Sequence, residues 1–408
     1  MTKWKSQQLS NLASITMGSS PKSTAYNDEG IGLPLIQGNA DIKNRLTKPR
    51  TYTSQITKEC APGGIIMTVR APVGAIAKST VKGCIGRGVC AISATKISQD
   101  YLYQYLISQE SKWKKLEQGS TFSAIGSKDV KQLLIAYPES IKEQAQIAGV
   151  LSTVDKKIDL IDQKIAETEK LKTGLMQKLF SEGVGVQDEN GEWQPHAEFQ
   201  DNGLPMHWSF LKLGSVAKVT SGGTPSRKKA SFWENGTIPW ITTGEVNFNC
   251  ITNSSQKITD EGLKNSAAKM FPPDTILMAM YGQGQTRGRV AMLGIEASTN
   301  QACAAIICSK KLNPHFCYHY LSSQYEKIRT IGNEGSQKNL NGQIIKDILI
   351  PCPNLEEQEQ IALVLSTVDE KITLLAKQKS ETQKLKKGLM QKLLTGEWRV
   401  PVEETEAA

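Results

Sequence analysis

No stretch of this 408-residue chain approaches the ~18 consecutive apolar residues of a membrane-crossing helix, so none is expected. Its first residues, MTKWKSQQLSNL, lack the apolar core of an export signal, and a cytoplasmic location is expected. There is no CxxC, and the eight cysteines (Cys60, Cys84, Cys90, Cys250, Cys303, Cys308, Cys317 and Cys352) follow no framework spacing. They read as reduced thiols, mostly buried in strands. There is no G-x4-G-K-[S/T] phosphate loop, which excludes an ATP-driven step in this chain.

What the chain does contain is a long duplication. Glu143 to Phe180 reads EQAQIAGVLSTVDKKIDLIDQKIAETEKLKTGLMQKLF, and Glu357 to Leu394 reads EQEQIALVLSTVDEKITLLAKQKSETQKLKKGLMQKLL. The two align without a gap, 214 residues apart, with 25 of 38 positions identical. A repeat at half the chain length signals two copies of one large unit, not a solenoid. Weaker matches extend it. Trp4 to Pro21 aligns with Trp208 to Pro225, Leu33-Pro-Leu-Ile36 with Ile238-Pro-Trp-Ile241, Val89-Cys-Ala-Ile92 with Ala302-Cys-Ala-Ala305, and Tyr103-Gln-Tyr-Leu106 with Tyr318-His-Tyr-Leu321. Gly191-Glu-Trp after the first helix matches Gly396-Glu-Trp after the second, as though a cyclic pattern had been cut once.

Each half therefore reads as a globular region followed by one long helix. The globular regions look mixed, with strands at Ile65–Val69 and Thr275–Met280 and amphipathic helices at Asp100–Gln109 and Pro314–Gln324. The long helices carry an a/d heptad seam. Ile147, Leu151, Val154, Ile158, Ile161 and Ile165 step by alternating fours and threes, as do Ile361, Leu365, Val368, Ile372 and Leu375. The register is expected to slip near Thr168 and Thr382, then resume with Leu171, Leu175, Leu179 and with Leu385, Leu389, Leu393. With two such helices per chain, intramolecular antiparallel pairing is favoured over dimerisation. A helix of this length spans about 57 Å at ~1.5 Å per residue, enough to hold two globular regions apart. The fold class is thus α+β, with two mixed domains, a pair of antiparallel coiled-coil helices and an internal pseudo-twofold. The expected boundaries are a first domain over 1–140, a helical region over 141–183, a polar linker over 184–207, a second domain over 208–353, a second helical region over 354–396 and a tail over 397–408.

The duplicated helix opening with EQ, the LSTVD-x-KI and KLK-x-GLMQKLL segments, the closing Thr395-Gly-Glu-Trp-Arg-Val400 and the SGGTP turn together resemble the specificity subunit of type I restriction–modification systems. The resemblance covers nearly the whole chain. It implies two target-recognition domains, each reading one half of an asymmetric bipartite site in double-stranded DNA. It also implies helices that set the spacer and dock two methyltransferase subunits, with restriction/translocase subunits joining that core. The chain itself would be non-catalytic, with S-adenosylmethionine, ATP and Mg expected in the partners. A specificity subunit serving a fused methyltransferase–nuclease, or a coiled-coil adaptor without a DNA role, are the alternatives. Physical reasoning agrees with the first reading, because two readers on one frame suit half-sites about one helical turn, or ~34 Å, apart.

An adenine methyltransferase would carry an Asn/Asp-Pro-Pro-aromatic motif. The nearest string, Phe271-Pro-Pro-Asp274, reads as a turn. Gly282-x-Gly284-x-x-x-Gly288 has the wrong spacing for a dinucleotide loop. His315 and His319, with Cys317 between them, are too few ligands for zinc. No catalytic or metal site is expected. The net charge of +9 has the sign expected for contact with a polyanion, and much of it sits in small-residue loops such as Ser221–Lys229 and Gly282–Arg289. Arg, Asn and Gln can bridge base edges, whereas Lys and hydroxyls more often position phosphates. The DNA-contact candidates are Lys22, Gln37, Asn39, Arg70, Lys78 and Arg87 in the first domain. In the second they are Arg227, Lys228, Tyr281, Gln283, Gln285, Arg287, Arg289, Lys338 and Asn339. The Gly282–Arg289 loop is the strongest cluster. Partner docking is expected on helix faces outside the seam, including Lys156, Lys157, Asp159, Glu167 and Lys170.

Overall fold

A computed structural model describes residues 3–113, 124–282, 285–331 and 339–401. Contacts divide the chain into two compact units, residues 1–163 with 377–408, and residues 164–376. The division falls inside both long helices, Ile141–Leu179 and Leu355–Leu393, and not at the domain–helix boundaries read from sequence. The cause is core packing. In the first unit, Ile147, Ala148 and Leu151 at the start of the first helix share a core with Met390, Leu393 and Leu394 at the end of the second. In the other unit, Ile361, Ala362 and Leu365 share a core with Leu179 and Phe180. Each globular domain thus rests on the beginning of its own helix and the end of the other.

In the first unit Trp4–Gln8 pairs antiparallel with Leu134–Pro138, bringing the domain's ends together at the helix start. Two sheets follow. One is six-stranded, with Val89–Ala94 and Ile65–Thr68 as inner strands, and the other is five-stranded, with Leu33–Ile36 parallel to Gly83–Ile85. The helix Gln99–Ser108 starts at Ser98, whose hydroxyl accepts from the Tyr101 amide, and buries Tyr101, Leu102 and Leu106. The second unit repeats the plan. Ser209–Lys212 pairs with Leu349–Cys352, a five-stranded sheet centres on Ile276–Ala279, and Ile238–Ile241 runs parallel to Ala297–Thr299 in a four-stranded one. Its helix Pro314–Ser323 is capped by Asn313 and begins with the proline, which has no amide to leave unsatisfied. The strands and helices expected from periodicity fall where the sequence puts them.

The EQ pair that opens each long helix has a defined job. Gln144 donates to the Pro138 carbonyl (2.8 Å) and accepts from the Ser98 amide (2.7 Å), while Gln358 does the same with Pro353 (2.9 Å) and Asn313 (2.8 Å). The glutamates face the chain leaving the other helix. Buried Glu143 takes a two-pronged bond from Arg399, at 2.7 and 2.9 Å. Buried Glu357 accepts from the Val184 and Gly185 amides (3.1 Å each), meets His196 Nε2 at 2.9 Å and accepts from Trp208 Nε1 at 2.8 Å. The segment expected to be a polar linker is therefore ordered, and it carries a hairpin of Val186–Gln187 against Trp193–Gln194. Gly191-Glu-Trp belongs to that hairpin and is not the counterpart of Gly396-Glu-Trp. The counterpart is Gly183. Gly183 and Gly396 both have positive φ and both lie against a tryptophan, Trp208 and Trp4 respectively, where a Cβ would not fit.

The expected slip in the heptad is absent. Leu171 and Leu385 are exposed, whereas Thr168, Lys172, Leu175 and Leu179 continue the fours and threes in the first helix. Lys379, Thr382, Lys386, Leu389 and Leu393 do so in the second. Val154, Ile158, Ile165, Val368, Ile372 and Leu375 are half-buried, and Ile147, Leu151, Ile161, Ile361 and Leu365 are buried. Polar residues occupy the seam because they find partners. Thr168 and Thr382 bond back to the carbonyls of Lys164 and Gln378. Lys386 meets Asp155 at 2.6 Å and Lys379 meets Asp162 at 2.5 Å in the first unit, an antiparallel register, and Lys172 meets Asp369 at 2.5 Å in the second. Lys172–Asp369 and Lys386–Asp155 are the same pair displaced by the repeat. Among the described residues no helix is long and apolar enough to cross a membrane.

Two predictions follow from this packing. Glu357→Ala leaves several donors without an acceptor and is expected to cost roughly 3–5 kcal/mol, read as a lowered urea midpoint at pH 7. His319 is buried, with Nε2 3.1 Å from Ser366 Oγ. Burial, with Lys172 and His315 nearby, pushes its pKa from 6.5 down to about 3. Below pH 6.5 the unfolded chain binds a proton that the folded chain refuses, so this contribution is full above pH 6.5 and is lost as pH falls toward 3. His319→Gln should flatten the stability–pH curve in that window, which denaturation at stepped pH would reveal.

Candidate nucleic-acid interface

In the first domain the strands Gly83–Ile85 and Val89–Ala94 are joined by Gly86-Arg87-Gly88. This turn is pinned on every side. The Gly86 amide bonds the Ile36 carbonyl (2.8 Å), the Val69 amide bonds the Gly88 carbonyl (2.9 Å) and the Arg87 amide bonds Ser20 Oγ (3.2 Å). A Cβ at Gly88 would collide with the Gln37 carbonyl. Arg87 is thus an exposed side chain between buried neighbours. Beside it, the loop after Leu33–Ile36 carries Gln37 and Asn39. That loop is fixed by buried Asp41, which accepts from the Gln37 amide at 2.8 Å and lies 3.6 Å from Arg50. Gln37, Asn39, Arg70 and Arg87 line one cavity of about 510 Å³ with Ser20 and Tyr26. Exposed Lys22 lies between Pro21 and Ser23 of the same lining. Lys78 does not join them. Its ammonium is 2.6 Å from Asp100 and sits over the Tyr103 ring, in a cavity against the long helix.

The second domain rebuilds the frame with other side chains. The Asn300 amide bonds the Ile241 carbonyl (3.0 Å) and the Met280 amide bonds the Ala302 carbonyl (2.9 Å). Strand pairing sets Val89 opposite Thr68 and Cys303 opposite Ala279, so Val89 corresponds to Cys303. The match of Val89-Cys-Ala-Ile92 to Ala302–Ala305 is therefore off by one. The residue standing where Arg87 stands is Gln301, absent from the sequence candidates, and Tyr281 stands where Arg70 does. Gln301 is exposed, and its Oε1 accepts from the Thr224 hydroxyl, the counterpart of Ser20. The loop after Ile238–Ile241 is pinned by Glu245. Burial opposes that carboxylate, but bonds from the Ser255 and Thr242 amides and the Ser254 hydroxyl hold its pKa below the ordinary value.

Arg227 lies over Trp233 (3.6 Å to the ring centroid) and Trp240 (5.0 Å), and donates to Gln256 at 2.6 Å. Exposed Arg227 thus places its cation over the indole of half-buried Trp233. Lys228 beside it is exposed, as are Tyr281, Gln285 and Asn339, while Gln283 and Lys338 lie outside the described residues. In the Gly282–Arg289 loop both arginines have partners within the protein. Arg287 is half-buried and donates to the Arg329 carbonyl, and Arg289 folds back to Gln285 at 3.4 Å. The Arg287 guanidinium ties the loop to the Arg329 carbonyl, and that of Arg289 makes one long bond within the loop.

Lys156, Lys157, Asp159, Glu167 and Lys170 are all exposed on the first long helix. So are Leu160 and Leu171, and their repeat counterparts Leu374 and Leu385. His319 is a packed core residue and exposed His315 lies 3.8 Å from Asp274. Among the described residues no group of three His, Cys, Asp or Glu side chains is arranged to hold a metal ion. Phe271-Pro-Pro-Asp274 leads from one strand into the next as a turn.

Comparison with known proteins places this geometry. Residues 1–170 and 205–384 each match the type I restriction modification DNA specificity domain. The putative type I restriction enzyme MjaX specificity subunit of Methanocaldococcus jannaschii is 34% identical over 187 residues, 45% of this chain and 44% of that subunit. The MjaIX specificity subunit of the same organism is 26% identical over 413 residues, 97% of this chain and 94% of its own length. In fold, the chain is similar to the crystal structure of a type I restriction–modification S subunit from M. genitalium, with a TM-score of 0.62, 18% identity and 96% of each chain covered.

The tight contact at Gly88 yields a test of the frame. Gly88→Ala should push the Gln37 loop outward at a cost of about 1–3 kcal/mol, read as a lowered urea midpoint together with weakened DNA binding by the assembled complex.

Proposed function

The chain belongs to the type I restriction–modification DNA specificity family, and from that membership we propose that its two domains read the two halves of an asymmetric DNA site. The observation that carries this reading is a pair of exposed polar sites on one repeated frame with different side chains. Gln37, Asn39, Arg70 and Arg87 occupy one, and half-buried Thr242 with exposed Tyr281 and Gln301 the corresponding positions of the other. A common frame with unlike readers suits a bipartite, non-palindromic sequence.

In this reading the chain does no chemistry. The exposed faces of the long helices dock two methyltransferase subunits, which supply S-adenosylmethionine and modify adenine in each half-site. Restriction/translocase subunits with ATP and Mg complete the enzyme. Arg70, Arg87 and Lys22 supply cationic and bidentate contacts in one half, and stacked Arg227 with Lys228 lies beside the other. Gln285, Arg287, Arg289 and Asn339 stay secondary candidates.

Genome-wide adenine methylation in cells carrying this chain and its methyltransferase, compared with a deletion of the chain, tests the reading. One bipartite motif should vanish on deletion. An unchanged methylation pattern with an active methyltransferase would refute it. In the assembled complex, Arg70→Ala should also reduce the slope of log affinity against log salt by about 1 if Arg70 meets a phosphate, and leave it unchanged if Arg70 meets a base edge.

A further inference from the structure

We infer that Arg87 and Gln301 are counterpart base-reading residues, Arg87 selecting a guanine in one half-site and Gln301 an adenine in the other. The inference rests on the proposed function and names what the two sites select.

The internal repeat supplies the comparison. Residues 87 and 301 occupy the same place on the same hairpin, identified by backbone bonds and not by sequence likeness. The amide before each bonds the last carbonyl of the parallel strand, Ile36 or Ile241. The carbonyl after each accepts from Val69 or Met280. Ser20 Oγ accepts from the Arg87 backbone amide, whereas the Thr224 hydroxyl donates to the Gln301 side chain. Strands on both sides are buried, so each turn is a rigid support presenting an exposed side chain. A precise reader needs such a support, because base discrimination depends on placing two donor or acceptor atoms together.

What differs is the side chain. Arginine matches the O6 and N7 acceptors of guanine, and a glutamine amide matches the N6 donor and N7 acceptor of adenine. The Thr224 hydroxyl donates to Gln301 Oε1, which fixes the amide's orientation and leaves Oε1 a second lone pair and Nε2 its two hydrogens. An amide held that way can accept from N6 while donating to N7. By contrast, Glu143/Glu357 and Gln144/Gln358, which hold the frame, are the same residues in both copies. Divergence at 87/301 on a turn whose backbone bonds are the same in both copies is what two readers of different bases require.

The test uses the complex assembled with its methyltransferase, acting on duplexes randomised in both half-sites, with methylated products sequenced. Wild type, Gln301→Arg, Gln301→Ala and Arg87→Gln are compared. Gln301→Arg should shift one position of one half-site from adenine to guanine, and Arg87→Gln one position of the other half-site from guanine to adenine. Gln301→Ala should lower discrimination at that same adenine at least about tenfold and leave the opposite half-site intact. If Gln301→Arg fails to assemble, Gln301→Ala decides. Variants that keep the wild-type motif at every position, or lose methylation evenly without a change in preference, overturn the inference while the specificity function stands. A wild-type complex without any sequence preference overturns that function, and this inference with it.

Discussion

The structure depends on one buried carboxylate, used twice. Glu143 and Glu357 each stand at the first turn of a long helix, out of water, and each is met by the chain that leaves the other helix. An uncompensated carboxylate in such a place costs several kcal/mol, so the incoming segment cannot be left loose. The neighbouring glutamine ties the same turn to the start of the domain helix. Three pieces of chain far apart in sequence are therefore fastened at one point in each unit. The two copies reach this with different chemistry. Arg399 gives a planar two-pronged ion pair, whereas Glu357 collects two backbone amides, an indole and an imidazole.

The seam between the long helices follows related logic. Aliphatic positions give it adhesion but little choice of register, since one heptad fits the next nearly as well. Lysines at seam positions, each matched to an aspartate, penalise every displaced register, because a shift leaves an ammonium without its partner. Lys172–Asp369 and Lys386–Asp155 repeat across the duplication, while Lys379–Asp162 has no counterpart, its repeat positions being Ile165 and Ala376.

The frame was largely legible in the sequence because it rests on periodicity and repetition. The long helices, the domain helices at Gln99–Ser108 and Pro314–Ser323 and the central strands all announce themselves by apolar spacing. The misread heptad comes from treating polarity as exposure. Thr168 and Lys172 looked like a break in the heptad, and Leu171 like its continuation, because only tertiary partners make a lysine acceptable in a seam. The partner of Arg287, a backbone carbonyl, leaves no trace in composition. That Gln301 stands opposite Arg87 in the repeat is hidden in the sequence, because strand register, and not local likeness, decides which residue sits at a turn. Of the first-domain candidates, Gln37, Asn39, Arg70 and Arg87 do line one cavity, since the loops bearing them all follow recognisable strands.

The exchange of helix ends between the units also bears on how the protein is made. Residues 164–376 form a unit that is continuous in the chain, whereas the other unit joins residues 1–163 to residues 377 onward. A ribosome therefore finishes the second domain's core before the first domain receives Met390, Leu393 and Leu394. Until then the faces of Ile147 and Leu151 lack the side chains that cover them, and Glu143 lacks Arg399. The domain synthesised first is the last to be completed.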